Sequence, residues 1–177
     1  MKFKDAQKKA VSKFDNPEFI ENIKEEDSTM VKHLDILKQI NECGYLTTNS
    51  QAGRKTETIY ERAYILGCML EKDAKNFINN ISINTDKIAI NIEQNAINWD
   101  SQISIPLSIE KIKNKWKIFT HMSTTVPPKY FWDQQTSLDI NNSHKVLYIL
   151  CFDPKWNRNA SSKKGLFTDV LKILKTI

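Results

Sequence analysis

The chain has 177 residues, of which 40% are hydrophobic and 27% charged, and this composition excludes a disordered protein. The net charge is +5, and the whole excess lies in residues 110–177, where 12 basic residues stand against 5 acids. The N-terminus lacks the apolar stretch of a secretory signal, and the longest apolar run without glycine, Val146–Phe152, is too short for a bilayer, so we expect no membrane span.

Residues 1–43 predict an N-terminal helical segment. Asn16-Pro17 combines a capping residue with a proline at the first helical position, so a second helix begins there. A third helix ends before Gly44, which suits a left-handed cap. The first helix is indicated by a stripe of Phe3, Ala6, Ala10 and Phe14.

The stretch from Gly44 to Leu70 combines a clear pattern with many polar side chains. It predicts a short strand over residues 45–47, a polar loop over residues 49–56 and a longer strand over residues 59–70. The second half of the long strand is almost wholly apolar, which indicates a strand that is covered on both faces.

The rest of the chain alternates between helical and extended patterns. Pro127-Pro128 predicts a rigid connector that leads to an aromatic cluster at residues 130–132. The other predicted elements are a helix over 71–81, strands over 86–93, 103–109, 116–122 and 144–152, and a last helix over 166–174.

These elements predict an α+β fold with a mixed or antiparallel sheet of about five strands packed against helices. We expect one domain over residues 1–177, in which residues 1–43 form the helical segment and residues 44–177 the sheet-containing core.

The three cysteines, Cys43, Cys68 and Cys151, are far apart and show no paired spacing. This pattern predicts free thiols and an intracellular, cytoplasmic location rather than a disulfide framework. It also gives no metal cluster, and no glycine-rich phosphate motif points to a cofactor.

Two polar groups of residues are candidate ligand contacts. Arginine offers a fork for carboxylate or phosphate, and loops after central strands often carry function. The structural alternative is that Ser50 and Gln51 close their loop by local hydrogen bonds while Glu61 pairs with Arg62 on the surface. The candidates are Ser50, Gln51, Arg54 and Arg62 in the first group, and Asp153, Trp156 and Arg158 in the second.

His121 is a weaker candidate catalytic residue. It stands in the sequence FTHMST, and a His-x-Ser on a strand resembles one half of the two-histidine phosphoesterase motif. The other histidines, His33 and His144, lack the following Ser or Thr, so the second half of the motif is missing. A phosphodiester hydrolase that uses His121 is therefore an alternative hypothesis.

The segments GYLTTNSQAG, ERAYILGCM and DPKWNR, with a closing GLFTDVL helix, resemble a family of uncharacterised proteins of large double-stranded DNA viruses and some bacteria. The resemblance covers roughly residues 34–174. It implies a viral origin, in the host cytoplasm or the virion, and it implies no particular activity.

Together these observations predict a small binding protein that has a protein partner. Its expected contact site is the Ser50–Arg62 loop or the basic final third. The third hypothesis is nucleic-acid binding through residues 110–177, and it rests on their charge.

Overall fold

A computed structural model of the chain describes residues 2–92, 105–122 and 146–177. The expected Pro127-Pro128 connector and the aromatic cluster at 130–132 lie outside these residues. Among the described residues, no helix combines the length and the hydrophobicity needed to cross a membrane.

The helices begin and end close to where the sequence pattern places them. Asn16 caps α2 by accepting a hydrogen bond from Glu18 N through its side chain, and Pro17 occupies the first helical position. Gly44 follows α3 with a φ of +92°, which glycine adopts without strain. The described α-helices are α1 (Phe3–Ser12), α2 (Pro17–Asp27), α3 (Leu34–Glu42), α4 (Glu71–Asn84) and α5 (Leu166–Leu174), with 3-10 turns at Lys13–Asp15 and Ser28–His33.

The described strands form two antiparallel sheets rather than one sheet of about five strands. The first sheet has four strands in the order β1-β3-β7-β4, and the second has three in the order β2-β5-β6. The strands are β1 (Leu46–Gln51), β2 (Ile59–Glu61), β3 (Tyr64–Leu70), β4 (Ile88–Ile92), β5 (Ile105–Ile112), β6 (Lys115–Met122) and β7 (Val146–Phe152). The α+β class and the antiparallel arrangement predicted from the sequence are confirmed.

The segment expected to be one long strand over residues 59–70 divides at Arg62 and Ala63. Arg62 N donates to Leu107 O in the second sheet, whereas Ala63 O accepts from Asp153 N beside the first. Because the chain changes partners at this point, β2 belongs to one sheet and β3 to the other.

The apolar strand β3 is buried on both faces, as its sequence predicted. On one face, Ile65 and Met69 share a core with residues of α3, α4 and α5. On the other face, Cys68 packs with Phe3 of α1, while Leu66 packs with Leu107 of the second sheet. The first sheet is therefore held between α3, α4 and α5 on one side and α1 together with β5 on the other.

Tyr45 ties the two central strands to the helical layer. Its side chain is fully buried, and its hydroxyl lies 3.1 Å from Ile65 O and 2.9 Å from Ile149 O. The ring contacts Phe77 of α4 at 5.5 Å between centroids. This residue therefore links β3, β7 and α4.

Candidate functional site

One edge of the first sheet collects most of the predicted site residues. Gln51 pairs with Tyr64, Tyr64 with Phe152, and Phe152 with Ile88, so four strand ends lie side by side. The segments just beyond these ends therefore meet. They carry Arg54, Arg62, Asp153, Trp156 and Arg158.

The loop that follows β7 is fixed against β2 and β3 by backbone hydrogen bonds. Asp153 N donates to Ala63 O at 2.9 Å, and Asn157 N donates to Glu61 O at 3.1 Å. Gly53 also packs closely against this loop, because a Cβ there would lie 2.6 Å from Arg158 O. A side chain at position 53 would therefore clash with the loop after β7, and only glycine fits there.

Arg158 binds two carboxylates. Its Nη2 lies 2.6 Å from Asp153 Oδ1 and 2.7 Å from Asp86 Oδ2. Asp153 is fully buried, so the guanidinium supplies the positive charge that a buried carboxylate needs. The same guanidinium and Lys87 hold the pKa of Asp86 well below its usual range.

Lys87 extends this cluster to α5. Its side chain is fully buried, and its Nζ lies 2.5 Å from Asp86 Oδ1 and 2.9 Å from Asp169 Oδ2. Asp86, Lys87 and Asp169 did not figure among the residues that the sequence pattern predicted for a site. The one signal for them was an Asp-Lys pair directly before the alternating pattern of β4.

Arg54 and Glu61 form a second ion pair at this edge. Arg54 Nε lies 2.5 Å from Glu61 Oε2, and Arg54 Nη2 lies 3.1 Å from Glu61 Oε1. Glu61 is only 5% exposed. The expectation that Glu61 pairs with Arg62 on the surface is therefore wrong. The pair that forms holds the loop before β2 against β2 itself.

Arg62 instead stacks on an aromatic ring. Its guanidinium carbon lies 4.1 Å from the centroid of the Trp156 ring and 6.0 Å from that of Phe152. Burial lowers the pKa of Arg62, although Asp153 acts in the opposite direction. Arg62 and Trp156, which were both predicted as ligand contacts, therefore contact each other.

The charges at this edge are largely neutralised within the protein. Arg54 and Arg158 both have carboxylate partners, and Asp153 is shielded from solvent. An anionic ligand would have to displace these carboxylates in order to pair with Arg54 or Arg158. The ion pairs of Arg158 hold the loop after β7 against the segment before β4 and form a structural lock for this loop.

Ser50 and Gln51 lie apart from the cluster. They belong to β1 rather than to the polar loop, so the predicted loop begins three residues too early. Both line a cleft of about 400 Å³ between β1 and α2. His121 lies on β6, and its side chain belongs to the part of the chain that is not described, so its role stays a prediction.

The second sheet presents a face that is both aromatic and basic. Cross-strand pairing places Tyr60 beside Ile109, Ile109 beside Ile118, and Lys111 beside Trp116 on this face. Trp116 is 48% exposed and Ile118 is 66% exposed. These exposures are large for a tryptophan and an isoleucine.

Tyr60 carries the aromatic surface across to β2. Its ring meets that of Trp116 edge to face at 5.2 Å, and Lys55 Nζ lies 5.1 Å from the Tyr60 centroid. Neither Tyr60 nor Lys55 was predicted as a site residue from the sequence. Their place on this face depends on the separation of β2 from β3, which the sequence pattern does not show.

The β5–β6 hairpin concentrates positive charge next to this face. The segment KIKNKWK over residues 111–117 contains four lysines, and all four are exposed. Lys113 and Asn114 form the turn, with φ angles of 49° and 61°. Strands β5 and β6 contain a single acidic residue, Glu110, which pairs with Lys117 across the hairpin.

Comparison with known proteins identifies the family of the chain. No curated protein matches the sequence. The matching family is described as Domain of unknown function (DUF6919), and its match covers residues 12–177. The chain therefore belongs to the DUF6919 family.

Proposed function

We propose that this protein binds single-stranded nucleic acid, without catalysis, through the exposed face of the second sheet. The observation that carries the proposal is the ring pair of Tyr60 and Trp116, which has Lys55 against Tyr60 and Lys111 beside Trp116 on the same face. Lysines neutralise backbone phosphates, and exposed aromatic rings stack on unpaired bases.

Charge distribution favours a nucleic acid over a protein partner. Exposed Trp116 and Ile118 would also suit an apolar protein surface, in line with the protein partner expected from the sequence. However, charged residues are depleted at the centre of protein interfaces, whereas on this face Lys111 pairs directly with Trp116 and Lys55 lies against Tyr60. A basic ribbon with stacking rings is more typical of nucleic-acid recognition.

Fluorescence anisotropy with labelled dT20 tests the proposal. We expect affinity to fall steeply between 50 and 200 mM salt, because binding releases counterions from the strand. The double variant Lys111→Ala/Lys113→Ala, which removes the lysine beside Trp116 and one in the adjoining turn, should reduce the slope of log K against log salt by roughly 0.7 for each phosphate that the protein no longer neutralises.

The matched control is Lys8→Ala/Lys172→Ala, which removes the same charge from exposed positions on α1 and α5. This control should leave the slope close to that of the wild type. If both double variants have the same slope, the hairpin is not the binding surface.

Trp116 supplies an independent test. Trp116→Ala should weaken binding roughly fivefold or more, because one stacked base contributes about 1–3 kcal/mol. Trp116→Tyr keeps an aromatic ring and should retain most of the affinity. Equal affinities of the two variants would contradict the proposed stacking.

We also propose a viral origin and an intracellular location. The resemblance to proteins of large double-stranded DNA viruses supports the first, and the free thiols of Cys43, Cys68 and Cys151 support a reducing compartment. Immunodetection in the cytoplasm of infected cells and in purified virions tests both.

A further inference from the structure

A cleft between α2 and β1 lies apart from both the ion-pair cluster and the second sheet. Its volume is about 400 Å³, which is within the range of small-molecule sites. Phe19 and Ile23 of α2 line one side, and Ser50 and Gln51 of β1 line the other. The cleft therefore combines an apolar wall with a polar one.

The α2 wall is loosely packed. No residue of α2 is fully buried, and the helix contacts chiefly the two 3-10 turns that flank it. Phe19 and Ile23 are half-buried: they pack against the main core on one side, and their remaining apolar surface lines the cleft. Such a surface stabilises the hydrocarbon part of a ligand.

Lys13 places a positive charge in this cleft. Its Nζ donates to Thr47 O at 3.2 Å and lies 5.1 Å and 5.5 Å from the ring centroids of Phe14 and Phe19. Burial lowers the pKa of Lys13. Lys13 takes part in none of the ion pairs formed by the described residues.

An ammonium group in this setting has unused hydrogen-bonding capacity. It can donate three hydrogen bonds, and Thr47 O accepts one of them. The contrast with Lys87 is informative, because that buried lysine has two carboxylate partners. A negatively charged ligand group would give Lys13 an anionic hydrogen-bond acceptor, as Asp86 and Asp169 do for Lys87.

We propose that this cleft binds a small monocarboxylate with an apolar body. The carboxylate pairs with Lys13, the apolar body packs on Phe19 and Ile23, and Ser50 and Gln51 offer polar contacts. Glu26 and Asp27 also line the cleft, so a second negative charge on the ligand would be repelled. This specificity selects a singly charged acid over a dicarboxylate or a phosphate.

Isothermal titration with 4-phenylbutyrate and its neutral counterpart 4-phenylbutanol tests the proposal. The two probes share the same apolar body and differ in the charged group. We expect the acid to bind roughly tenfold more tightly, which is the size of one charge-assisted hydrogen bond. Phenylsuccinate, which carries two carboxylates, should bind more weakly than phenylbutyrate.

Lys13→Met retains an apolar side chain of similar length and removes the charge. It should abolish the preference for the acid, while Lys9→Met, at an exposed position one turn earlier on α1, should leave the preference unchanged. Thermal unfolding of both variants verifies that they fold. Equal binding of acid and alcohol to the wild type would overturn the proposal, as would a preference that survives in Lys13→Met.

A second variant keeps the test decisive if Lys13→Met does not fold. Ile23→Trp adds bulk to the α2 wall at a half-buried position and should weaken the binding of both probes. Undiminished binding to Ile23→Trp would place the probes elsewhere on the protein and would contradict the proposal. Absence of phenylbutyrate binding at about 10 mM, a concentration that detects roughly millimolar affinity, would do so as well.

Discussion

His33 is a buried histidine whose surroundings favour the neutral ring. It is only 1% exposed, its Nδ1 lies 2.5 Å from Ser161 Oγ, and its ring meets Phe167 edge to face at 5.5 Å. Burial and the nearby Lys32 lower its pKa, and the attraction of Asp27 opposes them only in part. The neutral ring joins the turn before α3 to α5, and a proton there would weaken that packing.

This environment predicts a pH dependence of stability. The unfolded chain binds the proton more readily than the folded chain, so the free energy of unfolding should be constant above the ordinary pKa of 6.5. It should fall as the pH drops from 6.5 towards the lower folded pKa. Urea unfolding at several pH values between about 5 and 8 measures this effect.

The variant His33→Gln cannot take up the proton and provides the comparison. Its stability should change less than that of the wild type over the same pH range, although the variant itself is destabilised. If wild type and variant lose stability in parallel, another group is responsible for the pH dependence.

At the scale of elements, hydrophobic periodicity located most helices and strands but not their partners. The apolar stripes of α1 and α3 repeat every three or four residues, and the alternation of β4 repeats every two residues, so both patterns are local in sequence. The division at Arg62 depends instead on bonds to Leu107 and Asp153, which are remote in sequence. Such contacts leave no local period to detect.

The sequence likewise predicted the candidate site residues that lie beside strand ends but not their ion-pair partners. Arg54, Asp153 and Arg158 follow or precede apolar strands, and antiparallel pairing brings those strand ends together. Asp86, the partner of Arg158, and Asp169, the partner of Lys87, were missed because an ion pair between segments 72 or more residues apart has no sequence signature.

Gly67 gives a prediction for the centre of the sheet. A Cβ at this position would lie 2.3 Å from Leu46 O, which is a backbone atom of the neighbouring strand. Gly67→Ala should therefore push β1 away from β3 and destabilise the protein by about 1–3 kcal/mol or more. Urea unfolding measures the loss.

Gly44→Ala is the informative comparison for Gly67→Ala. Position 44 has open space for a Cβ but a φ of +92°, so the cost there is backbone strain alone, about 1–2 kcal/mol. We expect Gly67→Ala to be the more destabilising of the two. A Gly67→Ala protein of wild-type stability would refute the close approach of β1 and β3.

At the scale of the whole molecule, the ion-pair cluster reinforces the pairing of β7 with β4 and attaches α5 to the start of β4. Arg158 lies in the loop after β7, Asp86 lies before β4, and Lys87 reaches Asp169 of α5. Because Asp153 and Lys87 are fully buried, the loss of their oppositely charged partners would leave an uncompensated buried charge and destabilise the protein.

Two variants at this cluster should differ sharply in stability. Arg158→Ala leaves the buried carboxylate of Asp153 without its cation and should cost about 3–5 kcal/mol. Lys155→Ala removes a lysine that is 69% exposed and lies 3.6 Å from Asp86, and should cost about 0–1 kcal/mol. Chemical denaturation of both variants compares them, and similar losses would show that the cluster is not a lock.

The pairing of β3 with β7 has a consequence for how the protein is made. Gly67 pairs with Ile149, about 80 residues later in the chain. At roughly 5–20 residues per second, a ribosome needs about 4–16 s to deliver β7 after β3 has been synthesised. During that interval the apolar segment YILGCML has no β7 to pair with and is open to aggregation. Co-expression of a chaperone that binds the nascent chain should therefore raise the soluble yield.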